Sequence, residues 1–336
     1  MKKLLSHRLA VNPQFGSPFG FGIACFRQSR PCFQFSLWGV LKKQFVSSII
    51  CLLSFSASLN AESIIKFREI NGYLVVVSVR IDGKGPFDFI VDTGADDIAI
   101  DLGLVKELGI KPTTTVMLVT LAGSQEVPAG YPLRNMQLGS RNVPEVKALA
   151  MNLAALKPHK IRGIVGQSLL SQFDFLLDFK RHEMIIEENF EISRRLVQSS
   201  RFLELQKLEG RWFIRVSRKA GKALKLVLDA GADQLIMYDS KNLGLDIDNG
   251  SIRSVQVTTN LGTRELRAAR LRHFEVGGVE LQNQMVVLSK NGTGDEERPE
   301  DGLLPARLFN AVYFNNTRKR VLLNPEFTQP AQMASW

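Results

Sequence analysis

Two aspartates close near-identical stretches of this chain. Phe89-Ile90-Val91-Asp92-Thr93-Gly94-Ala95-Asp96 returns 137 residues later as Leu226-Val227-Leu228-Asp229-Ala230-Gly231-Ala232-Asp233. In each, an apolar run delivers a carboxylate to the edge of a packed core, and the glycine lets the backbone turn tightly beneath it. Two such carboxylates on repeated scaffolds predict a matched pair meeting at a pseudo-twofold axis. Held close together they share one proton, because both cannot comfortably ionise. The ionised member can take a proton from a water, while the protonated member polarises a carbonyl and later protonates a leaving nitrogen. That is acid/base hydrolysis of a peptide bond, and it calls for no cofactor, no metal and no covalent intermediate. The chain agrees: it contains no HExxH and no GxSxG, and its cysteines stand only at positions 25, 32 and 51.

The repeat extends well beyond the aspartates. Gly72-Tyr73-Leu74 lies 20 residues before Asp92, and Gly210-Arg211-Trp212 lies 19 before Asp229. Leu108-Gly109-Ile110 matches Leu243-Gly244-Leu245, and Met136-Gln137-Leu138-Gly139 matches Phe274-Glu275-Val276-Gly277. Gly163-Ile164-Val165-Gly166 and Gly302-Leu303-Leu304-Pro305 follow their aspartates by 71 and 73 residues. Order, spacing and chemistry agree along both copies, which predicts an internal duplication of one β-rich unit.

These motifs resemble the aspartic peptidases over about residues 66–325. The Asp-Thr-Gly-Ala-Asp form is similar to the retroviral-type branch, as in bacterial aspartyl protease family proteins, and two copies on one chain resemble the bilobal pepsin layout. The resemblance implies an all-β fold of two closed or orthogonal barrel-like lobes related by a pseudo-twofold axis. It implies a catalytic dyad of Asp92 and Asp229, supported by Thr93, Gly94, Ala95, Ala230, Gly231 and Ala232. It places Asp96 and Asp233 on the substrate main chain, although an aspartate after a turn can also simply cap it. It places substrate-closing flaps at Thr120-Leu121-Ala122-Gly123-Ser124 and at Thr259-Asn260-Leu261-Gly262, with Ala122, Gly123, Leu261 and Gly262 against substrate. The implied partner is a peptide or protein.

The second copy departs from the family pattern. Ala230 replaces the hydroxyl residue that ties the two catalytic loops together, so half of that tie is missing. Pro305 stands where Gly166 stands in the first copy, and Asn291–Pro299 reads as an inserted polar loop. Ala95 and Ala232 take positions where many pepsin-like enzymes carry a hydroxyl that stabilises the ionised carboxylate. Its loss raises the carboxyl pKa and predicts work at mildly acidic to near-neutral pH. Three readings follow: a single-chain endopeptidase, a peptidase pairing Asp92 across a homodimer, and a peptide binder that has lost turnover. The Asp retained in both copies favours the first, as a monomer.

Charge is distributed unevenly. Residues 1–61 hold seven basic residues and no acid, leaving 36 basic against 33 acidic in the remainder. The formal net charge of +10 is therefore mostly a property of the leader, and a nucleic-acid reading loses its support. Lys42-Lys43 followed by the apolar run Phe45 to Leu59 reads as a secretory signal over 41–61, short for a membrane span. Export to the periplasm or beyond is expected, with a mature N-terminus near Glu62 that N-terminal sequencing checks; a retained inner-membrane anchor is the alternative. Residues 1–40 read as a misplaced start, with initiation near Val40, or as an extension. Lobe 1 is then expected over 62–190, a partly helical connector over 191–208 and lobe 2 over 209–336. Short β-branched and aromatic runs between Gly, Asn, Asp and Pro turns fit the all-β class. His159, His182 and His273 read as surface residues.

Overall fold

A computed structural model describes residues 63–187, 190–197, 201–208, 211–218, 222–238, 243–259, 261–289 and 299–328. The leader with its cysteines, Asn260 and residues 291–298 of the inserted loop lie outside them. The chain is predominantly β, as expected. The first half runs β1 (Ser63–Lys66), β2 (Arg68–Ile70), β3 (Leu74–Ile81), β4 (Lys84–Val91), β5 (Ile98–Asp101), α1 (Leu102–Leu108), β6 (Thr114–Val119), β7 (Ser124–Leu138), β8 (Arg141–Met151), β9 (Ile161–Val165), α2 (Gln167–Leu170), β10 (Phe175–Asp178) and β11 (Glu183–Ile186). After α3 (Glu191–Arg195) come β12 (Phe202–Leu208), β13 (Arg211–Val216), β14 (Leu224–Asp229), β15 (Leu235–Tyr238), β16 (Ile247–Thr259), β17 (Gly262–Val276), β18 (Val279–Ser289), β19 (Gly302–Pro305), β20 (Ala311–Asn315) and β21 (Arg320–Leu323).

The two halves use one strand order. The first reads β2-β3-β4-β9-β5-β8-β7-β6 across its sheet, and the second reads β12-β13-β14-β19-β15-β18-β17-β16. Orientation repeats too: β4 with β9 and β14 with β19 are parallel, as are β5 with β8 and β15 with β18. Parallel strands covered on both faces need near-continuous apolar sequence, which is why Phe89-Ile90-Val91 and Leu226-Val227-Leu228 lack polar alternation. Gly163 and Gly302 sit at matching register, where a Cβ would come within 2.6 Å of Ala99 O and 2.1 Å of Ile236 O. One asymmetry separates the halves. In the first, β3 also pairs β7 through Val79–Leu138 and Arg80–Gln137, closing the sheet into a barrel. No matching β13–β17 pairing occurs among the described residues.

A six-stranded sheet, β1-β11-β10-β20-β21-β12, joins the halves. Its centre is the antiparallel β10–β20 pair, where Phe175 stacks on Phe314 at 4.7 Å between ring centroids. The turns flanking it are duplicates: Arg181 N donates to Asp178 Oδ1 at 2.9 Å, and Arg318 N donates to Asn315 Oδ1 at 2.8 Å. The largest apolar core draws residues from both halves.

The connector is partly helical, as expected, and the rest of its described length adds a strand. Helix is confined to Glu191–Arg195, and Phe202–Leu208 is strand. Its first residues pair β21 and its last pair β13, so backbone partners on both sides override the local preference. Glu187, buried beside α3, accepts hydrogen bonds from Ser193 N at 2.8 Å and from the Tyr313 hydroxyl. Burial and this carboxylate push the Tyr313 phenol well up. No helix among the described residues is long and apolar enough to cross a membrane.

Candidate active site

β4 and β14 end side by side across the pseudo-twofold axis and deliver Asp92 and Asp229 to one point. A Cβ on Gly94 would lie 2.4 Å from Asp229 Cγ, and a Cβ on Gly231 would lie 2.6 Å from Asp92 Cγ. Each loop's glycine thus sits against the opposite loop's carboxylate, and any side chain there would drive the aspartates apart. Each carboxyl group lies close enough to the other to shift its pKa.

Their surroundings are unequal. Asp92 Oδ1 accepts from Gly94 N at 2.9 Å and Ala95 N at 3.0 Å. Asp229 Oδ1 accepts from Gly231 N at 2.7 Å, and no matching bond from Ala232 occurs among the described residues. Burial raises the pKa of both; the charge of Asp92 raises Asp229 further, well above the ordinary carboxylate range. Backbone N–H donors oppose the rise by stabilising the charged form, and Asp92 has more of them. The donors therefore favour charge on Asp92 over Asp229.

Thr93 ties the loops together beneath the pair. Its buried hydroxyl donates to Leu228 O at 2.6 Å and accepts from Ala230 N at 2.9 Å. Ala230 has no hydroxyl to return the bond, so the tie is one-sided. The first loop is also strapped to α2: Gln167 N donates to Ala95 O at 2.8 Å, Ser168 N to Asp96 O at 2.9 Å, and the Gln167 amide to Thr93 O at 2.9 Å. In the second half Pro305 aligns with Asp229 in the β14–β19 register.

The flap segments are the tips of the β6–β7 and β16–β17 hairpins, built alike. Ala122 N donates to Thr120 Oγ1 and Leu261 N to Thr259 Oγ1, both at 3.2 Å. Gly123 and Gly262 carry φ of 152° and 133°, in the region that favours glycine. The tips meet: Thr120 Oγ1 and Thr259 Oγ1 are 3.3 Å apart, Arg264 reaches Leu121 O at 3.4 Å, and Leu121 packs into the apolar cluster of the second half.

Asp96 and Asp233, equivalent in sequence, differ in setting. Asp96 pairs with Arg211 of the other half at 3.2 Å, and Arg211 Nε lies 3.1 Å from the buried Glu300. Asp233 is exposed and has no hydrogen-bond or ion-pair partner among the described residues. Sequence reading missed Arg211 and Glu300. By register they occupy the places of the buried apolar Leu74 and Ile161, so the available signal was a charge at a position apolar in the other copy. The positive charge of Arg211 lowers the pKa of both dyad members, opposing burial.

Residues 77–169 match the family model described as aspartyl protease. The matched stretch runs from within β3 into α2 and contains Asp92-Thr93-Gly94 and Ile164-Val165-Gly166, so the similarity covers most of the first half with its catalytic-loop candidate. No curated protein matches the chain significantly.

Proposed function

We propose that the protein is an aspartic endopeptidase whose dyad is Asp92 and Asp229, contributed by two duplicated halves of one chain. One observation carries this reading: both aspartates reach the same point, each against the other's glycine, with unequal donors that separate their protonation states. Asp92, ionised, takes a proton from a water as its oxygen attacks the scissile carbonyl. Asp229 gives its proton to the carbonyl oxygen, forming a tetrahedral diol. Collapse of the diol passes a proton to the leaving nitrogen and breaks the C–N bond. The hairpin tips exclude bulk water during the step. Because Asp92 and Asp229 meet within one chain, a dyad assembled across a homodimer is unnecessary. Export, through the basic and apolar leader, remains part of the proposal.

The test is cleavage of a mixed peptide library with and without an active-site-directed aspartic-peptidase inhibitor. Asp92→Asn and Asp229→Asn should each lower kcat by at least about a thousandfold while leaving the fold intact, since neither carboxylate works alone. A variant retaining more than a few per cent of activity removes that residue from the dyad.

A further inference from the structure

The two ends of the candidate cleft are chemically unlike. At one, Arg211 and Glu300 engage Asp96, so that carboxylate already has its cation. At the other, Leu74 and Ile161 take the equivalent places, and Asp233 has no counter-charge. Beside Asp233 lies a cavity of 520 Å³ lined by Asn71, Gly72, Tyr73, Gln234, Pro305, Arg307 and Leu308. Its lining includes Pro305, which pairs in register with Asp229, and Tyr73, whose phenol, pushed up mainly by burial, also feels the charges of Asp233 and Asp229. Its cation, Arg307, is already engaged, with Nε 3.1 Å from Glu69 Oε1 and its guanidinium over the Phe179 ring at 5.4 Å. Glu69, outside the cavity lining, neutralises Arg307, so Asp233 is the one uncompensated charge on the cavity wall.

We propose that this cavity is a subsite for a positively charged group of the bound peptide, a guanidinium or an ammonium, with Asp233 as its counter-charge. The inference rests on the reading of Asp92 and Asp229 as a peptide-binding centre. Specificity then comes from one end only, because Asp96 cannot serve the same role without releasing Arg211.

Uncleavable hydroxyethylene peptides carrying arginine or its neutral isostere citrulline, placed in turn at each position around the central bond, test this by fluorescence titration. A parallel pair with a free or an acetylated N-terminus separates side-chain from terminal recognition. At one position, or at the free terminus, the charged peptide should bind about fivefold tighter than its neutral twin. Asp233→Asn should bring that ratio close to one, and Asp233→Lys should invert it; both variants should keep the wild-type melting temperature, since Asp233 makes no contact that folding needs. Equal binding of every charged and neutral pair, or a ratio that survives Asp233→Asn, overturns the subsite. The cleavable versions of the same peptides read turnover separately. Discrimination without cleavage would overturn the hydrolase and leave the subsite standing.

Discussion

At the scale of the residue, the dyad works against the stability of the fold that holds it. Burial raises the pKa of Asp92 and Asp229, so above the ordinary carboxylate pKa the folded state binds more protons than the unfolded chain. Stability is then highest at low pH and falls as pH rises through the folded-state titration. Asp229, raised more strongly, carries most of this dependence. Asp229→Asn should therefore raise the melting temperature more at pH 7 than at pH 4, by about 2–4 °C for each kcal/mol released. Scanning calorimetry of both proteins across that range checks it; an equal gain at both pH values would place the titration elsewhere. The approach of Asp92 to Asp229 was legible in the sequence because an apolar strand, an aspartate, a small residue and a glycine are all local features. Arg211 and Glu300 were not legible, since the contact between them is made 89 residues apart by two strand ends with no shared local pattern.

At the scale of the element, the one-sided tie and the paired hairpins each make a quantitative demand. Thr93→Val would leave Leu228 O and Ala230 N buried without their partner, costing about 2–4 kcal/mol, while Thr93→Ser keeps the hydroxyl and should stay near wild type. Urea denaturation of the three proteins measures the difference, and a Thr93→Val midpoint equal to wild type would mean the hydroxyl is dispensable. The hairpin tips meet through Thr120 and Thr259, and 62–336 contains no cysteine. Thr120→Cys with Thr259→Cys should thus form a single disulfide that abolishes cleavage under oxidising conditions and releases it on reduction. Full activity of the oxidised form would show that substrate enters without parting the tips. Both tips could be located beforehand through the family resemblance, which places flaps at Thr120–Ser124 and Thr259–Gly262. The strand at Phe202–Leu208 could not, because its partners β21 and β13 lie on either side of it and only the assembled sheet provides them.

At the scale of the whole molecule, the halves are joined by backbone rather than by docking. The β10–β20 ladder crosses the axis, and the largest core runs through both halves. Specific activity should therefore be constant on dilution, as both aspartates travel on one chain; a fall at low protein concentration would favour assembly from two copies. That the halves repeat one β-rich unit was readable from the sequence, whereas the joining strands were not, since each is short and gains its meaning only from the other half. In a symmetric dimer every substitution is made twice, and both sides of the cleft must accept it. Here Thr93 faces Ala230, Arg211 answers to Leu74, and a barrel closed on one side stands against an open sheet on the other. A peptide has a direction, and a symmetric cleft cannot tell one direction from its reverse. Under the proposed reading this one can, and its sequence preferences then have a left and a right.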